Sequence, residues 1–192
     1  HEAGHGLYEQ GLDSDHWGMP MGEAVSLGIH ESQSRMWENF VGRSASFWSY
    51  FYPKLKEVFP EALSDVAVED FVFAVNGVRP STIRVEADEI TYNLHILLRF
   101  EMELALIEED LSVDDVPSLW NEKFKMYFGF EIENDTDGCL QDIHWYDGAW
   151  GYFPTYTLGA MTAAQLFYCA NKDKPEISPS IAKGDFKPLM DW

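Results

Sequence analysis

"TIRVEADEITYNLHILLRFEMELALIEEDL", Thr82 to Leu111, is the stretch whose reading decides the fold class. Ile90, Leu94, Leu97, Leu98, Phe100 and Leu104 recur along it close to helical spacing, which predicts one long helix with an apolar stripe. The same period runs through "PMGEAVSLGIHESQSRMWENFVGRS" (Pro20 to Ser44), with Ala24, Leu27, Gly28, Met36, Trp37, Phe40 and Val41 near one face. "SVDDVPSLWNEKFKMYFGF" (Ser112 to Phe130) opens on Ser112 and Asp115 in a capping-box-like arrangement, and its stripe continues through Val116, Leu119, Trp120, Phe124 and Phe128. "GAMTAAQLFYCANK", starting at Gly159, reads as a further helix, and Pro53, Pro60 and Pro80 punctuate the middle of the chain. "GFEIENDTDGCLQD" (Gly129 to Asp142) is the clearest polar break, with room for a short β hairpin because "FEI" favours extended backbone. The class is mainly α.

Composition narrows the function. Hydrophobic residues make up 46% of the 192, enough for one sizeable core. Thirteen Lys and Arg against 33 Asp and Glu leave a formal net charge of -20. A field of that sign repels phosphate backbones and anionic lipid, which argues against nucleic acid and membrane surfaces as partners. Two cysteines, Cys139 and Cys169, are too few for a disulfide framework, so a cytoplasmic setting is the default. The charge-free stretch Tyr152 to Ala170 holds a proline, three threonines and a glutamine; it reads as a buried helix, not a membrane span.

The chemistry concentrates in "HEAGH" at His1–His5. Two histidines four apart share one face of a helix, where both imidazoles reach a single cation, and Glu2 projects beside them. A hydrolytic zinc site needs a third protein ligand. Glu31 in "GIHESQSR" is the candidate, on the next predicted helix after a plausible reversal in "DSDHWGMPMG". His30 and His16 compete for that place. His30 adjoins Glu31, and neighbouring helical positions diverge by about 100°, so the two cannot both point at one ion.

Four short motifs occur in order: "HEAGH", "HESQS", "IRVEAD" and "GCLQDIHW", followed by "GYFPTYTLG" and the closing "IAKGDFKPL". Together they resemble the carboxypeptidase Taq family, whose signatures are HExxH, HES/GQ, IRxxAD and GxxQDxHW. The resemblance runs over the whole chain and implies a metal-dependent carboxypeptidase with a helical, gluzincin-type catalytic portion. It implies His1, His5 and Glu31 as metal ligands, with Zn2+ as the default ion and Co2+ or Mn2+ as alternatives. Glu2 becomes the general base, and Arg84 of "IRVEAD" a site for the substrate's terminal carboxylate, against the alternative of a structural ion pair. His144, Tyr156 and Tyr152 are candidates for stabilising the oxyanion. Gln141 is a candidate substrate contact, although Gln141 and Asp142 also suit orienting a ligand histidine or positioning their loop. His95 reads as a core histidine. The partners implied are peptides with a free C-terminal carboxylate, and homodimers are common in such a family.

Members of that family are longer at both ends and carry an upstream DxRxT motif that this sequence lacks. The expectation is therefore that residues 1–192 form a single-domain catalytic portion of a larger enzyme. A ligand helix that starts on His1 is expected to bind metal weakly, with losses on the order of 10–100-fold. Two other readings stand beside the carboxypeptidase: a helical endo-oligopeptidase using the same chemistry, and a catalytically silent helical module that only binds partners or oligomerises.

Overall fold

The structure, a computed structural model, describes residues 1–108 and 111–192, and no strand occurs among them. In chain order the helices are α1 (Glu2–Gly11), α2 (Leu27–Arg35), α3 (Ala45–Val58), α4 (Pro60–Leu63), α5 (Val68–Val75), α6 (Tyr92–Glu108), α7 (Val116–Phe128), α8 (Pro154–Asp173), α9 (Ile177–Ile181) and α10 (Lys187–Met190). The mainly helical class holds, and the hairpin allowed for in Gly129–Asp142 does not form among the described residues. None of the described helices is long and apolar enough to cross a membrane.

Two compact units are present: His1–Gly77 with Leu158–Trp192, and Val78–Thr157. The core of the first gathers Met36, Val41, Ala163, Ala170, Ile177, Ile181 and Leu189. Its α2 starts at Leu27, not at Pro20, because the Ser26 hydroxyl accepts from the Ile29 N–H at 3.2 Å and caps the helix there. Pro20–Gly22 is a 3-10 turn, which leaves Ala24 in the connection. At its far end α2 widens into a π-helical turn, Met36–Gly42. Helix α8 starts at Pro154, five residues before the position expected from sequence, with proline at a position that needs no N–H. That shift places Gly159 inside a helix.

In the second unit α6 and α7 pack through Leu98, Met102, Trp120, Phe124 and Phe128. The α7 stripe is as expected, and the helix ends on Gly129 at φ 82°, a left-handed geometry that suits glycine. The stripe assigned to α6 is only partly so: Leu98 is buried and Leu94 packs against that core, but other members are not. Asp88 stops the helix short: its Oδ1 accepts from the Ile90 and Thr91 N–H groups, both at 2.9 Å, and "IRVE" curls into a 3-10 turn at Arg84–Glu86. Ile90 is then 63% exposed, and Leu97 and Phe100 are each 40% exposed. The buried face instead carries Tyr92, His95, Ile96, Leu98, Arg99, Met102, Glu103 and Ala105. Four of those eight side chains are ionisable, Tyr92, His95, Arg99 and Glu103, so a hydropathy stripe captures only part of the buried face. Glu109 and Asp110, included in the predicted helix, lie outside the described residues.

Candidate metal centre

Helices α1 and α2 run antiparallel, His1 lying beside Glu38 and Glu9 beside His30. Their approach depends on Gly4. A Cβ there would fall 2.6 Å from the Ser34 Cα and 2.7 Å from the Gln33 carbonyl oxygen, so any larger residue forces the helices apart. The close crossing brings His1, His5 and Glu31 together with ligand atoms all within 4.8 Å of one another. His1 Nε2 is 3.6 Å and His5 Nε2 3.3 Å from Glu31 Oε2. Ligands about 2.0–2.1 Å from a tetrahedral ion stand roughly 3.4 Å apart, so the donor set fits a zinc-like cation without large movement.

Each donor is held from behind. His1 Nδ1 lies 2.7 Å from Glu38 Oε2, and Glu38 is itself tied by Arg43 at 2.9 Å. His5 Nδ1 lies 2.6 Å from His30 Nδ1. Glu31 Oε1 accepts from Arg35 Nε at 2.7 Å, and Oε2 accepts from the Ser34 hydroxyl at 2.9 Å. Behind the carboxylate stands Gly159, where a Cβ would meet Glu31 Cγ at 2.6 Å. The two histidines differ electrostatically. The bond to Glu38 raises the pKa of His1 against the opposing effect of burial, whereas burial lowers that of His5 against the pull of Glu31. Burial acts to raise the pKa of Glu38, but His1, Arg35 and Arg43 outweigh it and hold the carboxyl below its usual range.

Glu2 sits exposed in the first turn of α1. His30 is turned onto the back of His5, and His16 lies in a 3-10 turn 3.8 Å from Asp13, outside the donor set.

The remaining candidates gather in the second unit. Arg84 is 5% exposed; its Nε and Nη2 donate to Asp142 Oδ1 at 2.9 and 2.6 Å, and its Nη1 to the Tyr92 hydroxyl at 2.6 Å. Asp142 is also 2.6 Å from Arg99 Nε, so one carboxylate joins two buried guanidiniums. His144 Nε2 lies 3.0 Å from the Tyr156 hydroxyl, and its ring tilts against Tyr152 at 5.3 Å. Burial, then the charge of Arg84, lowers the pKa of His144. Gln141 accepts from the Arg84 N–H at 2.8 Å and donates to the Thr82, Asp137 and Gly138 carbonyls, lacing its loop to the "IRVE" turn. His95 is fully buried against Phe128, and neither ring nitrogen closes a hydrogen bond among the described residues.

Sequence reasoning passes over Ser34, Arg35, Glu38, Glu103 and Gly159. Arg35 had a usable signal, since it stands one helical turn after Glu31. Glu103 had none: it accepts from Trp145 Nε1 at 2.9 Å and from the Gly151 N–H at 3.1 Å, both more than 40 residues away.

Comparison with known proteins agrees with this architecture. The family model for the Carboxypeptidase Taq (M32) metallopeptidase matches residues 1–192. Over the whole chain the sequence is 57% identical to thermostable carboxypeptidase 1 of Thermus thermophilus and 47% identical to carboxypeptidase 1 of Bacillus subtilis, covering 38% of each. The M32 carboxypeptidase of Deinococcus radiodurans R1 superposes with a TM-score of 0.95 at 44% identity, over 100% of this chain and 39% of its own. The Pyrococcus furiosus carboxypeptidase gives 0.96 at 46% identity, over 100% of this chain and 38% of its own. The chain thus spans under two fifths of the length of these relatives. With a match that runs from first residue to last, the chain belongs to the Carboxypeptidase Taq (M32) metallopeptidase family.

Proposed function

We propose that the protein acts as a metal-dependent carboxypeptidase that hydrolyses the C-terminal peptide bond of peptides. The observation that carries this reading is the convergence of His1 Nε2, His5 Nε2 and Glu31 Oε2, each on a side chain whose other polar atom is already engaged. Two imidazoles and one carboxylate suit Zn2+, and Co2+ or Mn2+ fit the same donors. A cation held there supplies Lewis acidity, polarising the scissile carbonyl and acidifying water, which contributes several kcal/mol to the transition state.

The protein's own groups do the rest. Glu2 takes a proton from the attacking water and returns it to the departing amine. Arg84 recognises the terminal carboxylate with a planar guanidinium that Asp142 and Tyr92 hold in place. His144 and Tyr156, with Tyr152, donate to the developing oxyanion, and Gln141 holds the loop on which His144 stands. A cytoplasmic homodimer is the form we assign, to be tested by sedimentation.

The test uses the 192-residue chain incubated with Zn2+ and N-blocked peptides supplied as free acids and as amides. Free acids are expected to be cut and amides spared. Glu2→Gln should lower turnover by about 10²–10⁴-fold with zinc retained, and Glu31→Ala should lose the zinc. Equal cleavage of amides would replace the carboxypeptidase by an endo-oligopeptidase. A folded wild-type chain that takes up no zinc and cuts neither would favour a silent binding module.

A further inference from the structure

Glu9, His30 and His5 form a chain of two short hydrogen bonds that ends at the metal donors. Glu9 Oε1 is 2.7 Å from His30 Nε2, His30 Nδ1 is 2.6 Å from His5 Nδ1, and His5 Nε2 faces Glu31 Oε2 at 3.3 Å. The proton order along this chain follows from chemistry. A carboxylate only accepts, so His30 Nε2 supplies the proton of the first bond. His30 Nδ1 is then free to accept, and His5 Nδ1 donates to it. His5 is left with its lone pair on Nε2, on the side where Glu31 stands. The opposite order, with His30 Nδ1 donating, requires the His5 proton on Nε2 and turns an N–H toward the donor set. Only the first order lets His5 ligate a cation.

Geometry keeps His30 in this role. Its ring meets that of His5 at 4.6 Å between centroids and packs edge-on against Tyr8 at 5.1 Å and 84°. The divergence of neighbouring helical positions, which bars His30 from the ion beside Glu31, puts it behind His5 instead. One residue pair of α2 thus addresses the centre twice, Glu31 as a donor and His30 through His5.

We propose that His30 is a positioning residue that fixes the Nδ1–H tautomer and ring orientation of His5, and so sets the metal affinity of the centre. The proposal rests on the metal-site reading given above. Glu9 fixes the tautomer of His30 in turn, but its side chain is 55% exposed against 22% for His30, so water competes for its bond and His30 carries most of the effect.

The test measures Zn2+ affinity by competition with a chromophoric chelator and reads the His5 tautomer by 15N NMR of the labelled chain without metal. In the wild type, His5 should show the Nδ1-protonated form. His30→Phe keeps a ring but removes the acceptor; it should weaken zinc binding by roughly 10–100-fold and spread His5 over both tautomers. His30→Asn leaves an acceptor near the Nδ1 position and should stay within about threefold of wild type. Three results would each overturn the proposal: an Nε2-protonated His5 in the wild type, undiminished affinity in His30→Phe, or a loss in His30→Asn as large as in His30→Phe. If the wild type takes up no zinc, the metal reading itself falls, and the tautomer spectrum separately decides whether His30 orients His5. Should His30→Phe not fold, the wild-type spectrum and His30→Asn decide alone.

Discussion

Replacing Gly159 by alanine sets two effects of known size against each other. Alanine inside a helix is favoured over glycine by up to about 1 kcal/mol. The added Cβ, however, would lie 2.6 Å from Glu31 Cγ, 2.7 Å from its Cβ and 3.1 Å from its backbone carbon, where ordinary contact begins at 3.4 Å. Two of the three clashing atoms are the root of the Glu31 side chain and the third is main chain, so no flexible tip can swing aside. Relief needs a shift of roughly 0.8 Å between α8 and α2. Overpacking of that kind costs about 1–3 kcal/mol, so clash outweighs propensity. The same shift exceeds the ~0.2 Å tolerance of a metal–ligand distance several times over. Gly159→Ala is therefore expected to lower the melting temperature by about 2–4 °C per net kcal/mol lost. Zinc affinity should fall on the order of tenfold or more. Gly6→Ala is the matched control: it lies on α1 with nothing within 4 Å of the new Cβ, so only the gain in propensity remains and the melting temperature should rise. Calorimetry and chelator competition on the three proteins give the answer. Gly159→Ala melting at or above wild type, with wild-type zinc affinity, would refute the argument.

Three further outcomes are expected. Glu38→Gln removes the carboxylate held 2.7 Å from His1 Nδ1 and should weaken zinc binding about tenfold, read by the same competition assay. Asp142→Asn leaves Arg84 and Arg99 buried without their shared countercharge and should cost about 3–5 kcal/mol in urea unfolding. Burial acts to raise the pKa of Asp142, but Arg99 and Arg84 hold it below the usual range, so its contribution is complete above about pH 3.9 and disappears as pH falls through the lower folded value. Burial, then Arg99, takes His95 down to about 3, against about 6.5 unfolded. The unfolded chain therefore binds the extra proton, and stability should fall as pH drops from about 6.5 toward 3. In His95→Phe, urea unfolding across that range should show a shallower pH slope, and an unchanged slope would count against the assignment.

How much of this was readable in the sequence depended on whether a group's partner is local. His1 and His5 lie one turn apart and Glu31 stands on the next amphipathic segment, so spacing nominates all three, with His30 and His16 as competitors that the structure leaves out of the donor set. What holds those donors is less accessible. Glu38 stands seven residues past Glu31, on the same helix face, but the His1 that it holds lies 37 residues away in the chain, so spacing along α2 does not reveal the pairing. Gly159 looked like the start of a helix because Pro154 can begin one five residues earlier without losing a needed N–H. Arg84 showed that it would find a carboxylate, but Glu86 and Asp88 were as near in sequence as Asp142 was far, 58 residues on. On α6 His95 was legible as a core residue, but Arg99 and Glu103 were not, because their burial is licensed by partners in the loop after Gly138.

The π-helical turn at Met36–Gly42 bears on how this stretch tolerates changes of length. A π turn closes a bond one residue further along than an α turn, so every position after it is displaced by one place around the helix axis. Val41, only 1% exposed, meets the first unit's core in that displaced register, while Glu38 faces His1. Removing any single residue between Met36 and Gly42 would let the segment relax to α geometry and rotate those two side chains out of step with each other. An exposed loop absorbs an insertion or deletion by changing shape. Here the extra residue is already built into the helix, so a one-residue deletion would take metal support and core packing together.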